Sequence, residues 1–176
     1  MPNPETHSFD DDGGIPNSRL PVLVYPGALE SDAGPAAYEE LFAGNGWRGA
    51  WRNGIFPFHH FHSIAHEVLG IAAGQAEVIL GGPGGRRFRL RSGDVVVLPA
   101  GTGHCNAGSS DDLLVVGAYP NGMDWDLRRG DPAEHEEVLA NIAGVPVPDQ
   151  DPVLGGTGPL VELWNGASRG PRERNV

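Results

Sequence analysis

Five of the seven histidines fall at positions 59, 60, 62, 66 and 104, inside a stretch crowded with glycine. His60 and His62 are two apart on a predicted strand over 56–62, so both side chains point to one face and Phe61 points to the other. Glu67 follows His62 at an odd offset. It joins their face only if Ser63, Ile64 and Ala65 bend between two strands. Leu69 and Ile71 then share the face of Glu67 and give an apolar floor beside the polar cluster. His104, after the turn Pro99-Ala100-Gly101, is the fourth candidate. Neutral imidazoles with one carboxylate suit a borderline divalent transition metal, that is Fe, Mn, Ni, Co, Cu or Zn, and leave coordination positions open for substrate or oxygen. His66 adjoins Glu67 and replaces it as a ligand if the register slips; by alternation it faces outward, in a structural or subunit-contact role. His59 points away from His60, and Cys105 points away from His104 as a small buried hydrophobe.

Composition removes competing chemistries. The 12 basic residues, all Arg, face 23 acidic ones, a net charge of −11, so the phosphate attraction behind nucleic-acid binding is missing. Without Lys there is no Schiff base, P-loop lysine or pyridoxal-phosphate attachment. A single Cys rules out an internal disulfide framework and an all-cysteine zinc site. No apolar stretch is long enough for a membrane span and no signal-peptide region opens the chain, so a soluble cytoplasmic protein is expected. The glycines of 81–85 lack a Lys or Ser/Thr partner and a following helix, so they read as a wide hairpin turn rather than a phosphate loop. Arg86, Arg87, Arg89 and Arg91 read as a solvated edge strand.

The elements that must position the cluster are short. With 27 Gly and 16 Pro in 176 residues, long helices are not expected and many strands joined by tight turns are. Residues 1–18 read as a flexible lead-in, and 19–165 as a single domain whose metal-binding core spans 47–120. Strands are predicted near 20–25, 47–52, 56–62, 66–72, 75–80, 86–91, 94–98, 103–107 and 113–119, with a last short one at 160–164. This fits an all-β sandwich or barrel. Helical spacing over 35–43 places Ala36, Ala37, Leu41 and Phe42 on one face. The best helix is 131–143, with Asp131 as cap, Pro132 at its first position and Gly144 after its end. A polar tail covers 166–176. Trp51 and Trp125 flank the β block; they read first as core or contact residues and second as lining for a mouth.

Two blocks of fixed spacing resemble the cupin superfamily. Gly54, His60, His62, Glu67 and Gly74 match the first cupin motif, and Gly93, Pro99, Gly101 and His104 match the second. The strings Trp51-Arg52-Asn53-Gly54-Ile55 and His62-Ser63-Ile64-Ala65-His66-Glu67-Val68-Leu69-Gly70, with Asp151-Pro152-Val153-Leu154-Gly155 and the run to Trp164, are similar to the small bacterial cupins of the YjlB-like group. The resemblance implies a double-stranded β-helix, the cupin jelly roll, here with a short N-terminal helix and a C-terminal helix. It implies a metal held inside the barrel by His60, His62, Glu67 and His104. One departure is that Gly108 stands where the second motif usually carries Asn; Asn106, two after His104, is expected to face inward beside it.

The function expected from this set is a metal-dependent enzyme acting on a small-molecule metabolite, a mononuclear dioxygenase or related oxidoreductase whose substrate chelates the metal. Glu67 supplies charge and takes a proton, and Asn106 orients substrate. The alternatives are an isomerase or lyase (decarboxylase) of the same fold, or a non-catalytic small-molecule-binding cupin. A homodimer paired through Leu20–Tyr25 or Leu160–Trp164 is the expected assembly.

Overall fold

Short runs of branched apolar residues between glycines set the strand lengths. The computed structural model describes residues 3–168. In order they form β1 (Glu5–His7), β2 (Val22–Tyr25), α1 (Pro35–Gly44), β3 (Trp47–Asn53), β4 (Glu67–Ala73), β5 (Gln75–Leu80), β6 (Arg86–Arg91), β7 (Val95–Leu98), β8 (His104–Ser109) and β9 (Leu114–Pro120). A 3-10 turn at Pro132–Glu134 then leads into α2 (His135–Ala143), and α3 (Pro159–Ser168) closes the described chain. A six-stranded sheet runs β1-β2-β7-β4-β9-β3, and a three-stranded sheet runs β6-β5-β8; all pairings are antiparallel.

The large sheet is covered on both faces, which explains its unbroken apolar runs. Along β7, Val95 and Val97 join an outer core with Tyr38, Phe42, Val68, Leu160 and Trp164. Val96 and Leu98 join an inner core with Leu69, Ile71, Val78, Leu80 and Val115, between the two sheets. Period-two alternation thus sends each strand's odd and even residues into different cores. Leu69 and Ile71 lie on the inner side as expected, and Glu67 opens the same strand two residues earlier.

Several expectations are corrected. Residues 56–62 form no strand; they are held by isolated bridges, His60 with His104 of β8 and Phe61 with Arg128, and by a bond from Asn106 N to Phe56 O at 2.9 Å. Pro57 has no N–H to give a ladder. The run 160–164 is helical within α3, with Leu160 and Trp164 on one buried side at i and i+4. The lead-in is not free: β1 pairs with β2, Ile15 and Asn17 are buried, and the Asn17 amide group bonds Gly81 O and Gly103 N. In α1 the buried residues are Tyr38 and Phe42, not the alanines, because Gly70 on β4 leaves a gap that the Tyr38 ring fills. The helix at 131–143 starts as a 3-10 turn, with Asp131 capping Ala133 N at 3.0 Å. The polar tail begins inside α3, and 169–176 lie outside the described residues. Among the described residues no helix is long and apolar enough to cross a membrane.

Candidate metal centre

The segment between β3 and β4 carries two of the histidines across the open end of the sheets. His60 is fixed by exchange of two backbone hydrogen bonds with His104: His60 N donates to His104 O at 3.2 Å and His104 N to His60 O at 2.9 Å. Gly101 N donates to His62 O at 2.8 Å. Glu67 enters from the first position of β4, paired with Leu98. All four side chains are buried.

One donor atom from each of His60, His62 and His104 lies within 4.8 Å of the others. Glu67 Oε1 is 3.4 Å from His62 Nε2 and 3.5 Å from His104 Nε2. Every Nδ1 faces a backbone carbonyl: His60 to Phe58 O at 2.9 Å, His62 to Asp126 O at 2.5 Å and His104 to Thr102 O at 3.0 Å. A carbonyl only accepts, so each Nδ1 carries a hydrogen, and the neutral ring presents a bare Nε2. Outer contacts of this kind fix the tautomer and orientation of metal-binding imidazoles. The donor set fits a divalent transition metal, with nitrogen and carboxylate ligands.

Electrostatics agree. Burial and the neighbouring His104 push the His60 pKa down to about 3, so its ring stays neutral. Burial opposes a charge on His62 too, but the Glu67 carboxylate outweighs it and holds its pKa above the ordinary value. Burial alone would raise the Glu67 pKa. The adjacent His104 and His62 rings, with Nε2 atoms 3.5 and 3.4 Å from its Oε1, reverse that and keep it well below the carboxylate range. The carboxylate therefore draws positive charge into the cluster, a proton on imidazole or a metal ion in its place.

A cavity of about 450 Å³ opens from the cluster, lined by all four of these residues and by Trp51, Arg52, Asn53, Phe56, Leu69, Tyr119 and Trp125 among others. Two functional residues escaped the sequence. Tyr119 Oη accepts from Trp51 Nε1 at 2.8 Å. Burial, with the negative charge of Glu67 nearby, pushes its pKa far up and keeps the phenol protonated. Asp126 orients His62 through its carbonyl, while its carboxylate accepts from Ser63 N at 2.6 Å, from Ser63 Oγ and from Arg128 Nε at 2.9 Å. The signal for Tyr119 was its parity with Val115 on β9, an inner-core residue; Asp126 sits in a loop and left no signal.

Asn106 is not brought to the cavity. Its Oδ1 accepts from Gly108 N at 2.8 Å and its Nδ2 donates to Ser109 Oγ at 3.2 Å, closing a local turn where the β8 register shifts. His66 faces the other way from Glu67: Nδ1 accepts from Ala100 N at 2.8 Å, Nε2 donates to Pro146 O at 3.0 Å, and the ring packs on Trp164 at 4.8 Å. Trp51 and Trp125 both line the cavity, the use that their sequence positions gave second place. Cys105 is buried and free.

Two antiparallel sheets closing over a buried cluster of three histidines and a glutamate define a cupin jelly roll, and residues 48–122 match the family described as Cupin. The chain belongs to that family. Within it the chain belongs with the small bacterial cupins of the YjlB-like group. The "Uncharacterized protein YjlB" of Bacillus subtilis (strain 168) is 42% identical over 161 residues, covering 91% of this chain and 96% of its own. Among solved structures, the chain is similar to an acireductone dioxygenase from Bacillus anthracis with a cadmium ion in its active center. That match has a TM-score of 0.42 at 15% identity, over 59% of this chain and 80% of that one. It is also similar to the WlaRB TDP-quinovose 3,4-ketoisomerase from Campylobacter jejuni, with a TM-score of 0.41 at 16% identity over 53% of this chain and 75% of that one. These likenesses carry no argument about activity.

Proposed function

We propose that the chain is a metal-dependent enzyme acting on a small molecule, a mononuclear dioxygenase or related oxidoreductase. One divalent transition metal is held by His60, His62, Glu67 and His104. The observation that carries the reading is that all three Nδ1 atoms are tied to carbonyls, which leaves the Nε2 atoms to bind, with one donor atom of each ring within 4.8 Å of the others beside a buried carboxylate. When bound, the metal supplies Lewis acidity, lowers the pKa of a chelating substrate and gives oxygen a place to react.

The chain's own residues do the rest. The inner core seals the cluster from below, and the cavity admits substrate from one side. Glu67 adds negative charge and stands as proton acceptor for substrate. The orienting hydrogen bond expected of Asn106 falls instead to Tyr119, whose protonated hydroxyl lies beside Glu67. The same reading places the chain in the cytoplasm, paired with a second copy. Because β2 is interior and 160–164 is helical, pairing passes to the free sheet edges at β1 or β3. Sedimentation showing only an 18.6 kDa species at micromolar concentration overturns that assembly.

Metal analysis of protein purified without a His-tag is the direct test. His60→Ala, Glu67→Ala and His104→Ala are run in parallel, and metal is expected to be lost in all three. A metal-loaded protein that consumes no oxygen with any chelating substrate argues against the oxidoreductase. The isomerase or lyase alternative then takes its place on the same site.

A further inference from the structure

We infer that the cavity beside the histidine cluster is built for a flat aromatic ligand presenting two adjacent oxygens, a catechol-type compound, in preference to a polyol, an aliphatic acid or a phosphate ester. The anchoring end rests on the metal centre proposed above; the aromatic preference rests on the walls.

Trp51, Phe56, Tyr119 and Trp125 form those walls, with Ile55 and Leu69 between them. Tyr119 and Trp125 stack at 6.1 Å and 15°, and Trp125 stands edge-on to His62 at 5.4 Å. Trp51 is seated deliberately. A Cβ at Gly117, its partner across β3 and β9, would fall 2.2 Å from the indole, so bare backbone lets the ring lie flat. At the mouth Phe56 and Trp125 are 46% and 48% exposed, large apolar surfaces that a ligand would cover. The volume of about 450 Å³ is within the usual range for small-molecule sites.

Most polar side-chain groups on the walls are already engaged, the Asn53 Nδ2 excepted. Trp51 Nε1 donates to Tyr119 Oη at 2.8 Å. Asn53 Oδ1 accepts from Gly54 N at 2.8 Å. Among the described residues Arg52 is the one cation lining the cavity, and it gives two N–H groups to Glu39 on α1, at 2.5 and 3.3 Å. On the walls, away from the cluster, a phosphate ester finds no free positive charge, in a chain whose net charge is −11. A polyol sets hydroxyls against indole and phenyl, each unpaired one costing roughly tenfold in affinity. An aromatic ring loses nothing there and gains edge and stacking contacts. Its two oxygens would be offered to the metal that His60, His62, Glu67 and His104 would hold at the end of the same cavity.

The test is calorimetric titration of untagged, zinc-loaded protein with 4-nitrocatechol, malonate and gluconate; zinc keeps the catechol from being oxidised. We expect 4-nitrocatechol to bind at least about tenfold tighter than either aliphatic chelator. Trp125→Ala and Phe56→Ala should erase most of that margin while zinc content and malonate affinity stay unchanged. Both side chains are half-exposed, so the variants fold. Malonate or gluconate binding as tightly as 4-nitrocatechol overturns the inference, as does an equal loss for all three ligands in the variants. Zinc content is read first and separately. A protein that holds no zinc overturns the metal centre, and preference for 4-nitrocatechol over malonate in that metal-free protein still decides the aromatic inference.

Discussion

Three carbonyl oxygens, from Phe58, Asp126 and Thr102, orient the three imidazoles, so the geometry of the cluster belongs to the backbone rather than to any ion. Of these carbonyls, that of Asp126 is the one held by a side-chain network. Asp126→Ala removes the acceptor for Ser63 N and Oγ and the partner of Arg128 Nε, freeing the loop that aims His62. Metal affinity is expected to fall about 10- to 100-fold, read by competition with a chromophoric chelator; an unchanged affinity removes Asp126 from the site. His66 provides the contrast. His66→Ala is expected to keep its metal and to lose about 2–4 kcal/mol of stability in chemical denaturation, because Ala100 N and Pro146 O are left unpaired in the interior. Loss of metal in that variant together with retention in Glu67→Ala would show that His66, not Glu67, is the ligand. At this scale the sequence was informative where chemistry follows spacing: His60, His62, Glu67 and His104 could be read as one set. Alternation told which face Asn106 leaves from, but not that its amide would turn back on Gly108 and Ser109. Tyr119 acts through Trp51 and Glu67, which are distant in sequence, and no spacing encodes that meeting.

Among the elements, the connection from Gly54 to His66 departs most from its predicted form. Its alternation is one of direction and not of burial: His60 and His62 face the cavity, while Phe61, equally buried, packs with Ile15 and Val138. Here two isolated bridges hold an extended segment that joins neither sheet fully. Such a segment can lay His60 and His62 across the mouth of the cavity, which a ladder-bound strand at the same place would close. The run at 160–164 shows the opposite ambiguity: five residues rich in Leu, Val and Trp fit a buried strand or one turn of helix equally, and Pro159 at the first position decides for α3. The strands β4, β7 and β9 were legible because both their faces are covered, leaving continuous apolar runs between glycines, and β5 because one face is buried and the other is not. Gly117 tests how β3 and β9 together make the wall. Gly117→Ala forces the Trp51 indole off the backbone it rests on and breaks its bond to Tyr119. Overpacking of this kind costs about 1–3 kcal/mol. A shifted Trp51 indole N–H resonance at unchanged zinc content is the expected signature; an unmoved resonance means the indole does not depend on that seat.

Across the whole molecule, the chain ends bind what the middle builds. Trp164 Nε1 on α3 donates to Pro21 O at 2.9 Å, beside β2, and Trp47 Nε1 on β3 donates to Gln150 O at 2.9 Å. Pro146 O receives His66, which backs the strand carrying Glu67, so the segment after α2 braces the metal-facing sheet from outside. Asp151 holds this brace together. It is fully buried, has no basic partner among the described residues, and accepts from Val153 N at 2.8 Å, Leu154 N at 3.0 Å, Leu160 N at 3.2 Å and the Tyr25 hydroxyl. The phenol pKa is pushed far up by burial and by the adjacent carboxylate, so Tyr25 remains a donor. Asp151→Ala leaves these donors unpaired and is expected to cost about 3–5 kcal/mol in guanidinium unfolding. Tyr25→Phe removes one donor and costs about 1 kcal/mol, since the carboxylate keeps its backbone bonds. In the double variant the two effects should fall short of additive by about that last amount, because the Tyr25–Asp151 bond is lost in either single change. Full additivity would mean that the phenol and the carboxylate contribute independently. The brace would then be held by the backbone turn at 151–155 alone.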